Sequence, residues 1–546
     1  MDLYRFLIER SRSSQRAVLA LVLISGLSSG LMLGVVNAAA EMASNGKVEL
    51  RVVVMFAAAL ALFVVSKRKS MSDASVAAER AIRDIRVAMA EKLRRSELLF
   101  VEHTGHGEIY ARLTQDTSTI SQSMPVIFNG LQSAIVVLAG LLYILFISFD
   151  AFLMTLAFLA AAGWSYMQRQ RTTMRDLEVV IAKETEFFDS LGHLVDGFKE
   201  VKISHRKNDD VFERVSGVAV ETETIMVRVV KRYTNHLVMA QTLIYLILAV
   251  LVFVLPSLEW SQPQTIMKLT AAVLFLVAPL ETVQFAFHFN LKAQVALSSI
   301  RALEASLDRA LDREDAGQQD PDPQRFAGFK TLELRSVVFR YPGAEHGFQI
   351  GPLNLKVVRG EATFIVGGNG CGKSTLLKVL TGLYQPQSGR ILIDGIEVAP
   401  AALPSYRELF SCIFADFHLF DRLYGLSDLD PARVNGMIAE MGLAGKTEYR
   451  DGRFTNLDLS TGQRKRLALV ASLLEDKPIH VFDEWAADQD PEFRAKFYDT
   501  ILPGLRAEGK TILAVTHDDR YFGQCQQLVK LDYGEFVAVE RPQGSL

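Results

Sequence analysis

Before residue 290 the chain contains six runs that approach the roughly 20 apolar residues a helix needs to cross a bilayer. They cover about 17 to 40, 48 to 66, 125 to 147, 149 to 168, 236 to 257 and 265 to 289. A soluble core cannot absorb so many apolar segments, so the first half is expected to be a bundle of membrane-spanning helices. The second run has the shortest uninterrupted apolar core. The first could also be a cleaved signal peptide ending near Ala38-Ala39-Ala40, but its apolar stretch exceeds the usual signal core. Composition fits this segregation: 49% of the 546 residues are hydrophobic, while charged residues, at 22%, stay near the soluble average.

Charge placement orients the bundle. Arg5, Arg10, Arg12 and Arg16 precede the first run, and the long connections 67–124 and 169–235 are rich in Lys and Arg. The short connections near 149 and at 258–264 carry neither. By the positive-inside rule the amino terminus, both long connections and everything after residue 290 face the cytoplasm. The long connections read as helix: in AAERAIRDIRVAMAEKLRRSELLF apolar residues recur at three and four positions without a proline. Some 25 such residues would extend about 35 to 40 Å beyond the bilayer. The net charge of −3 gives no sign of a nucleic-acid partner. The three cysteines, Cys371, Cys412 and Cys525, are too far apart to suggest a disulfide framework or a cysteine metal site, and fit a reducing compartment.

The second half has a different character. DRALDREDAGQQDPDPQ, within about 305 to 328, reads as a polar linker. Strand-like runs follow, beginning LELRSVVFRY, and then EATFIVGGNGCGKSTLLKVL. Here Gly367, Gly368, Asn369, Gly370, Cys371, Gly372, Lys373 and Ser374 satisfy G-x-x-x-x-G-K-S, after a β-type run and before a helical one that opens with Thr375. Glycines let backbone N–H groups close around the phosphates of ATP, Lys373 neutralises the terminal phosphates, and the Ser374 hydroxyl ligates Mg²⁺. Such a loop needs a second strand ending in an acid to hold the metal. PIHVFDE supplies Asp483, and Glu484, the next residue, is placed to orient or deprotonate water. His517 in AVTHDD is a candidate contact to the γ-phosphate, and Tyr341 in FRYPG a candidate platform for adenine. Each of these two is weak alone, since a lone His or Tyr is more often structural.

LSTGQRKRLAL, Leu459 to Leu469, resembles the signature sequence of ABC ATPases, with Thr461 where many members have Gly. The order Tyr341, P-loop, LSTGQ, DE, DQD, His517 is similar to a whole ABC nucleotide-binding domain over about 330 to 540. LFVEHTGHGEIYARLTQD and SLGHLVDGFKEVKISHRK look like the two cytoplasmic coupling regions of ABC exporters. The resemblance implies a half-transporter: an all-α six-helix exporter domain of type I/IV over 1–304, a linker over 305–328, and an α/β P-loop ATPase domain over 329–546. It also implies ATP and Mg²⁺ as cofactors, the lipid bilayer as surroundings, and a second copy of the chain as partner. In that pairing Ser460, Thr461, Gly462 and Gln463, with Asp490 of DQD, complete the partner copy's nucleotide site.

A narrower likeness concerns the cargo. DEWAADQDPEFR stands where exporters usually have DEATSALD, and with LSTGQRKRLAL, GFKEVKIS and IFADFHLF it resembles the cyclic-peptide and siderophore-peptide, pyoverdine-type, exporter branch. This implies a peptide-like cargo moved across a bacterial inner membrane. The rivals are export of a lipid or another small molecule, and an ATP-gated regulatory protein that does not pump. Glu484 together with an intact signature favours turnover. Two features depart from the family: Ala415-Asp416 replaces the usual glutamine before an acid, making Asp416 a candidate substitute toward Mg²⁺, and DGRFTNLD matches only loosely the Glu-containing stretch before the signature. In the sixth apolar run, Glu281, Gln284 and His288 share one helix face, with Phe285 and Phe287 nearby. Ionisable groups inside a bilayer are costly and usually face a cavity or a partner, so this face is a candidate cargo pathway, bonding to a neighbouring helix being the alternative.

Overall fold

The computed structural model describes residues 15–44, 46, 49–254, 263–311, 322–342, 347–426 and 429–542. Arg5, Arg10 and Arg12, residues 258–262 of the short connection, and residues 312–321 of the polar linker lie outside them. The chain divides into two units, Met1–Arg94 with Thr104–Leu307, and Arg95–His103 with Asp308–Leu546.

Among the described residues the first unit is helical throughout. Its long helices are Gln15–Ser44, Leu50–Arg94, Thr117–Ile147, Phe149–Asp196, His205–Ala249 and Pro263–Leu311. Five helical stretches are long and apolar enough to cross a membrane: Ala17–Ala43, Leu50–Arg94, His106–Ile147, His205–Val254 and Gln264–Leu311. The fourth expected span is the shorter apolar segment Phe149–Trp164, which opens the helix continuing to Asp196. The last helix runs on to Leu311, into the stretch read from composition as linker. Its polar residues there are compatible with helix, and no proline occurs before Pro321 to stop it. At about 1.5 Å per residue the 45 residues of Leu50–Arg94 measure about 67 Å, twice the hydrocarbon thickness of a bilayer.

Two properties make this unit a membrane object. Val53, Val54, Met55, Leu62 and Val65 lie exposed on Leu50–Arg94, an arrangement favourable only where the solvent is itself apolar. Inside, small residues bring helices together. A Cβ on Gly30 would stand 2.5 Å from the Ala139 Cβ, and one on Gly130 only 2.0 Å from the Ala286 Cβ. Close backbone approach of this kind replaces the hydrophobic drive that lipid removes. Around it pack Leu33, Ile144, Ile244, Leu251, Leu269 and Leu276.

The second unit is α/β. Strands β1 (Thr331–Arg340), β2 (Gln349–Val358), β4 (Ser388–Ile393) and β5 (Ile396–Glu397) form an antiparallel sheet in the order β2-β1-β4-β5. The central sheet has the order β12-β11-β3-β10-β9-β6, from β3 (Ala362–Val366), β6 (Phe410–Ile413), β9 (Ile479–Asp483), β10 (Thr511–Val515), β11 (Gln527–Asp532) and β12 (Glu535–Glu540). All its pairings are parallel except β11 with β12, and β7 (Tyr449–Arg450) and β8 (Arg453–Phe454) form a separate antiparallel pair. Strands β3, β9 and β10 are buried along their whole length, because both sheet faces are covered. Alternate residues serve opposite cores: Ile365, Val481 and Leu513 pack with Leu376, Leu377 and Leu380 of the helix after the P-loop, while Phe364, Phe482 and Ile512 pack with Leu467, Trp485 and Phe497. This construction brings the carboxyl ends of β3, β9 and β10 side by side, the place where open α/β sheets bind ligands.

Candidate active site

The loop after β3 owes its shape to backbone freedom that only glycine has. Gly372 adopts φ 106° as it caps the helix Lys373–Leu380, and a Cβ there would lie 2.7 Å from Ile350 Cγ2 and 2.9 Å from Phe348. At Gly367 a Cβ would come within 2.2 Å of the Leu531 carbonyl. The loop can therefore draw in against β2 and β11 and turn its N–H groups toward a ligand. Gly368 and Gly370 are open on their Cβ sides, Asn369 is exposed, and Cys371 is buried with its carbonyl accepting from the Gly534 N–H.

Lys373 is buried to 6% exposure, and its ammonium donates to the carbonyls of Gly367 (3.1 Å) and Gly368 (3.0 Å). It stands 3.7 Å from the Glu484 carboxylate. Glu484 follows β9 with φ 50°, a left-handed turn that swings its side chain away from the strand. Its Oε1 lies 3.0 Å from His517 Nε2, which the end of β10 supplies. Lysine, glutamate and histidine thus converge from three segments of the chain. A carboxylate beside an imidazole and an ammonium can hold a water and receive its proton where a terminal phosphate is docked.

Asp483, the last residue of β9, is the deepest acid of the group. Burial raises its pKa, opposed by hydrogen bonds from the Ser374 hydroxyl and the Ala415 N–H. Its Oδ1 is buried and has no hydrogen-bond partner among the described residues. An orphaned carboxylate oxygen beside a serine hydroxyl is the donor set a magnesium ion takes, hard oxygens from one or two side chains completed by phosphate and water. The residues fit the ion. Asp416, which follows the Ala415 whose N–H meets Asp483, is exposed, and among the described residues no hydrogen bond joins it to Ser374.

Tyr341 leans edge-on against Phe339 (5.3 Å between ring centroids) and Tyr384 (5.8 Å), and its hydroxyl is 3.1 Å from Thr375 Oγ1. The aromatic ring is thereby tied to the P-loop helix.

The signature stretch is built separately. Ser460 caps the helix Thr461–Leu474 in a reciprocal capping box with Gln463, the Ser460 N–H donating to Gln463 Oε1 at 3.1 Å. Gly462 passes so close to Asp488 that a Cβ would lie 2.6 Å from its carbonyl oxygen. Asp490 caps the helix Pro491–Lys496 through the Phe493 N–H (2.8 Å) and pairs with Arg466. Among the described residues no hydrogen bond or ion pair joins Ser460, Thr461, Gly462, Gln463 or Asp490 to the P-loop.

Sequence reading assigned no role to Lys465, although it lies within the quoted signature. It is buried, and its ammonium donates to the Glu484 carbonyl at 2.8 Å and pairs with Asp488 at 2.7 Å. The Trp485 indole N–H donates back to the Lys465 carbonyl at 2.9 Å, and its ring stacks on Phe497 at 4.4 Å. The signature helix is thus clamped to the residues immediately after the acidic pair. The alternating basic run Arg464-Lys465-Arg466 was the available signal; which member turns inward depends on the helix it packs against.

In the first unit, Glu281 Oε1 accepts from the Gln241 side chain at 2.6 Å, and the His288 ring lies 4.7 Å from that of Tyr233. Both partners belong to the helix His205–Ala249. Gln284 is partly buried, while Phe285 and Phe287 are exposed.

The fold and this site define an ATP-hydrolysing membrane transporter: the chain belongs to the ABC transporter family and is an exporter that couples ATP hydrolysis to transport. Residues 350–487 match the family model described as ABC transporter, and residues 17–183 the ABC transporter transmembrane region. Over 469 residues the chain is 32% identical to the ATP-binding protein SyrD of Pseudomonas syringae pv. syringae, covering 83% of this chain and 82% of that protein. It is 27% identical to an ATP-dependent lipid A-core flippase of Alkalilimnicola ehrlichii, covering 85% and 80%. Among solved structures, a bacterial Atm1-family ABC exporter with ATP bound superposes with a TM-score of 0.79 at 20% identity, over 97% of this chain and 96% of that one, showing the type IV exporter fold.

Proposed function

We propose that the chain acts as a homodimer in a bacterial inner membrane and exports a peptide-like cargo, such as a cyclic peptide or a siderophore precursor. The observation that carries the dimer is that, among the described residues, no hydrogen bond or ion pair joins the start of the signature helix to the P-loop cluster of the same chain: Ser460 and Gln463 bond each other, and the Gly462 carbonyl accepts from the Gln489 side chain. A second copy facing the first supplies that start to the γ-phosphate side of the site. In this reading Lys373 moves from the loop carbonyls to the terminal phosphates, and the glycine loop, Thr375 and Tyr341 hold the rest of ATP. Ser374 and Asp483 hold magnesium, which neutralises charge developing on the phosphates. Glu484, oriented by His517, takes the proton of the attacking water.

The peptide cargo is supported by the likeness of DEWAADQDPEFR to the peptide-exporter branch and by the similarity over most of the chain to the protein SyrD. The similarity to a lipid A-core flippase keeps a lipid as the second reading. Glu281, Gln284, Phe285 and His288, with Gln241 and Tyr233 opposite, are the proposed cargo-facing groups. One vesicle experiment tests the whole reading. Inverted vesicles carrying the wild-type chain are expected to accumulate a cyclic peptide only with ATP, with turnover stimulated by the peptide and not by lipid A. Glu281→Gln should weaken the stimulation. Glu484→Gln should bind ATP yet turn over slower by a factor on the order of 10² to 10⁴. Wild-type turnover in Glu484→Gln rejects the hydrolytic assignment, and stimulation by lipid alone rejects the peptide.

A further inference from the structure

Residues Arg95–His103, although flanked in sequence by helices of the first unit, belong by their contacts to the second. The short helix Leu98–Thr104 places Leu98 and Leu99 against the core that contains Phe339, Leu376 and Tyr384. Glu102 anchors it through its carboxylate. Lys378 Nζ donates to Glu102 Oε1 at 2.8 Å, and the Tyr384 hydroxyl donates to the other carboxylate oxygen. The Lys378 ammonium also lies 5.3 Å from the centre of the Tyr384 ring and 3.4 Å from its hydroxyl.

These partners lead to the nucleotide site. Tyr384 is 1% exposed and stacks on Phe339 at 4.8 Å, and Tyr341 rests edge-on against both rings. Lys378 lies one turn beyond Thr375, whose hydroxyl meets that of Tyr341. The negative charge of Asp416, like that of Glu102, favours the protonated Lys378. Removing the Glu102 charge would take away the ion-pair partner of Lys378 and weaken the acceptor of a buried phenol.

We propose that Glu102 is a positioning residue for ATP binding: by holding Lys378 and Tyr384, it sets where the Tyr341 ring and the Thr375 hydroxyl stand. The proposal rests on the assignment of Tyr341 to adenine. The test is steady-state ATPase of the purified full-length chain in lipid nanodiscs over a range of ATP concentrations. Glu102→Gln and Tyr384→Phe should each raise KM for ATP about three- to tenfold, the range one ordinary hydrogen bond is worth, with kcat within about twofold. Tyr341→Ala should raise KM as well, and adding Glu102→Gln to it should raise KM no further, because the first change acts through the second. If Tyr341→Ala raises KM while Glu102→Gln and Tyr384→Phe keep the wild-type value, the proposal is overturned and the adenine assignment stands. If Tyr341→Ala leaves KM unchanged, that assignment fails and the proposal with it. A fall in kcat at unchanged KM marks a merely structural role and also overturns it. Should Glu102→Gln not fold, Tyr384→Phe, which deletes a single oxygen, decides alone.

Discussion

Asp483 carries two demands that conflict until a cation is bound. Its Oδ1 is buried without a partner, and burial raises the pKa of the group. An acid whose pKa is higher in the folded than in the unfolded chain binds its proton more tightly when folded. Its ionisation therefore removes stability as pH rises past the ordinary carboxylate range. Asp483→Asn keeps the shape and discards the charge. Without nucleotide or divalent cation, the variant should unfold at a higher temperature than the wild type at neutral pH. Its Mg²⁺-dependent ATPase should nevertheless fall by at least the factor of about 10 to 100 that loss of a metal's supporting partner causes. Calorimetry beside an ATPase assay checks both, and a variant less stable yet active would show that the buried oxygen has another purpose. Asp483 could be anticipated from its place after an apolar run. The missing partner at Oδ1 could not, since it depends on where Ser374 and Ala415 stand.

Helices of the first unit meet where side chains are absent. Gly130 on Thr117–Ile147 abuts Ala286 on Pro263–Leu311, and an added Cβ would lie 2.0 Å from the facing methyl, so the two helices must part. Overpacking of a tight contact costs about 1 to 3 kcal/mol. Gly130→Ala should lower the temperature at which the detergent-solubilised chain loses its monodisperse elution. Gly163→Ala is the control: a Cβ at Gly163 meets nothing within 4 Å, and alanine favours helix. Equal behaviour of the two variants would refute a packing role for Gly130. Helical periodicity announced both segments, but the pairing of their small residues lay beyond it. The i, i+3, i+7 spacing likewise placed Glu281, Gln284 and His288 on one face without saying that Gln241 and Tyr233 stand opposite.

At the scale of the whole molecule, the proposed dimer has each copy's signature start complete the other copy's P-loop site. Subunits carrying Lys373→Ala, mixed with subunits carrying Ser460→Arg, would place both lesions in one composite site of the heterodimer and leave the other intact. Mixed dimers purified through two different affinity tags should hydrolyse ATP well above either parent variant, about half of wild type if the sites work independently. Mixed dimers as inactive as the parents would reject independent composite sites.

Legible from the chain alone is what depends on neighbours along it: apolar runs long enough to span a bilayer, a glycine loop between a strand and a helix, and an acidic pair ending an apolar strand. Each is set by local periodicity, turn conformation or charge within a few residues, and so is legible without a fold. The tertiary structure alone decided which distant groups meet. Lys465 clamps the Glu484 carbonyl, Trp485 returns a hydrogen bond to the Lys465 carbonyl, and Glu102 reaches Lys378 across 276 positions. Such contacts follow from the order and packing of the central sheet and the surfaces laid against it, and no local pattern in the sequence encodes that order.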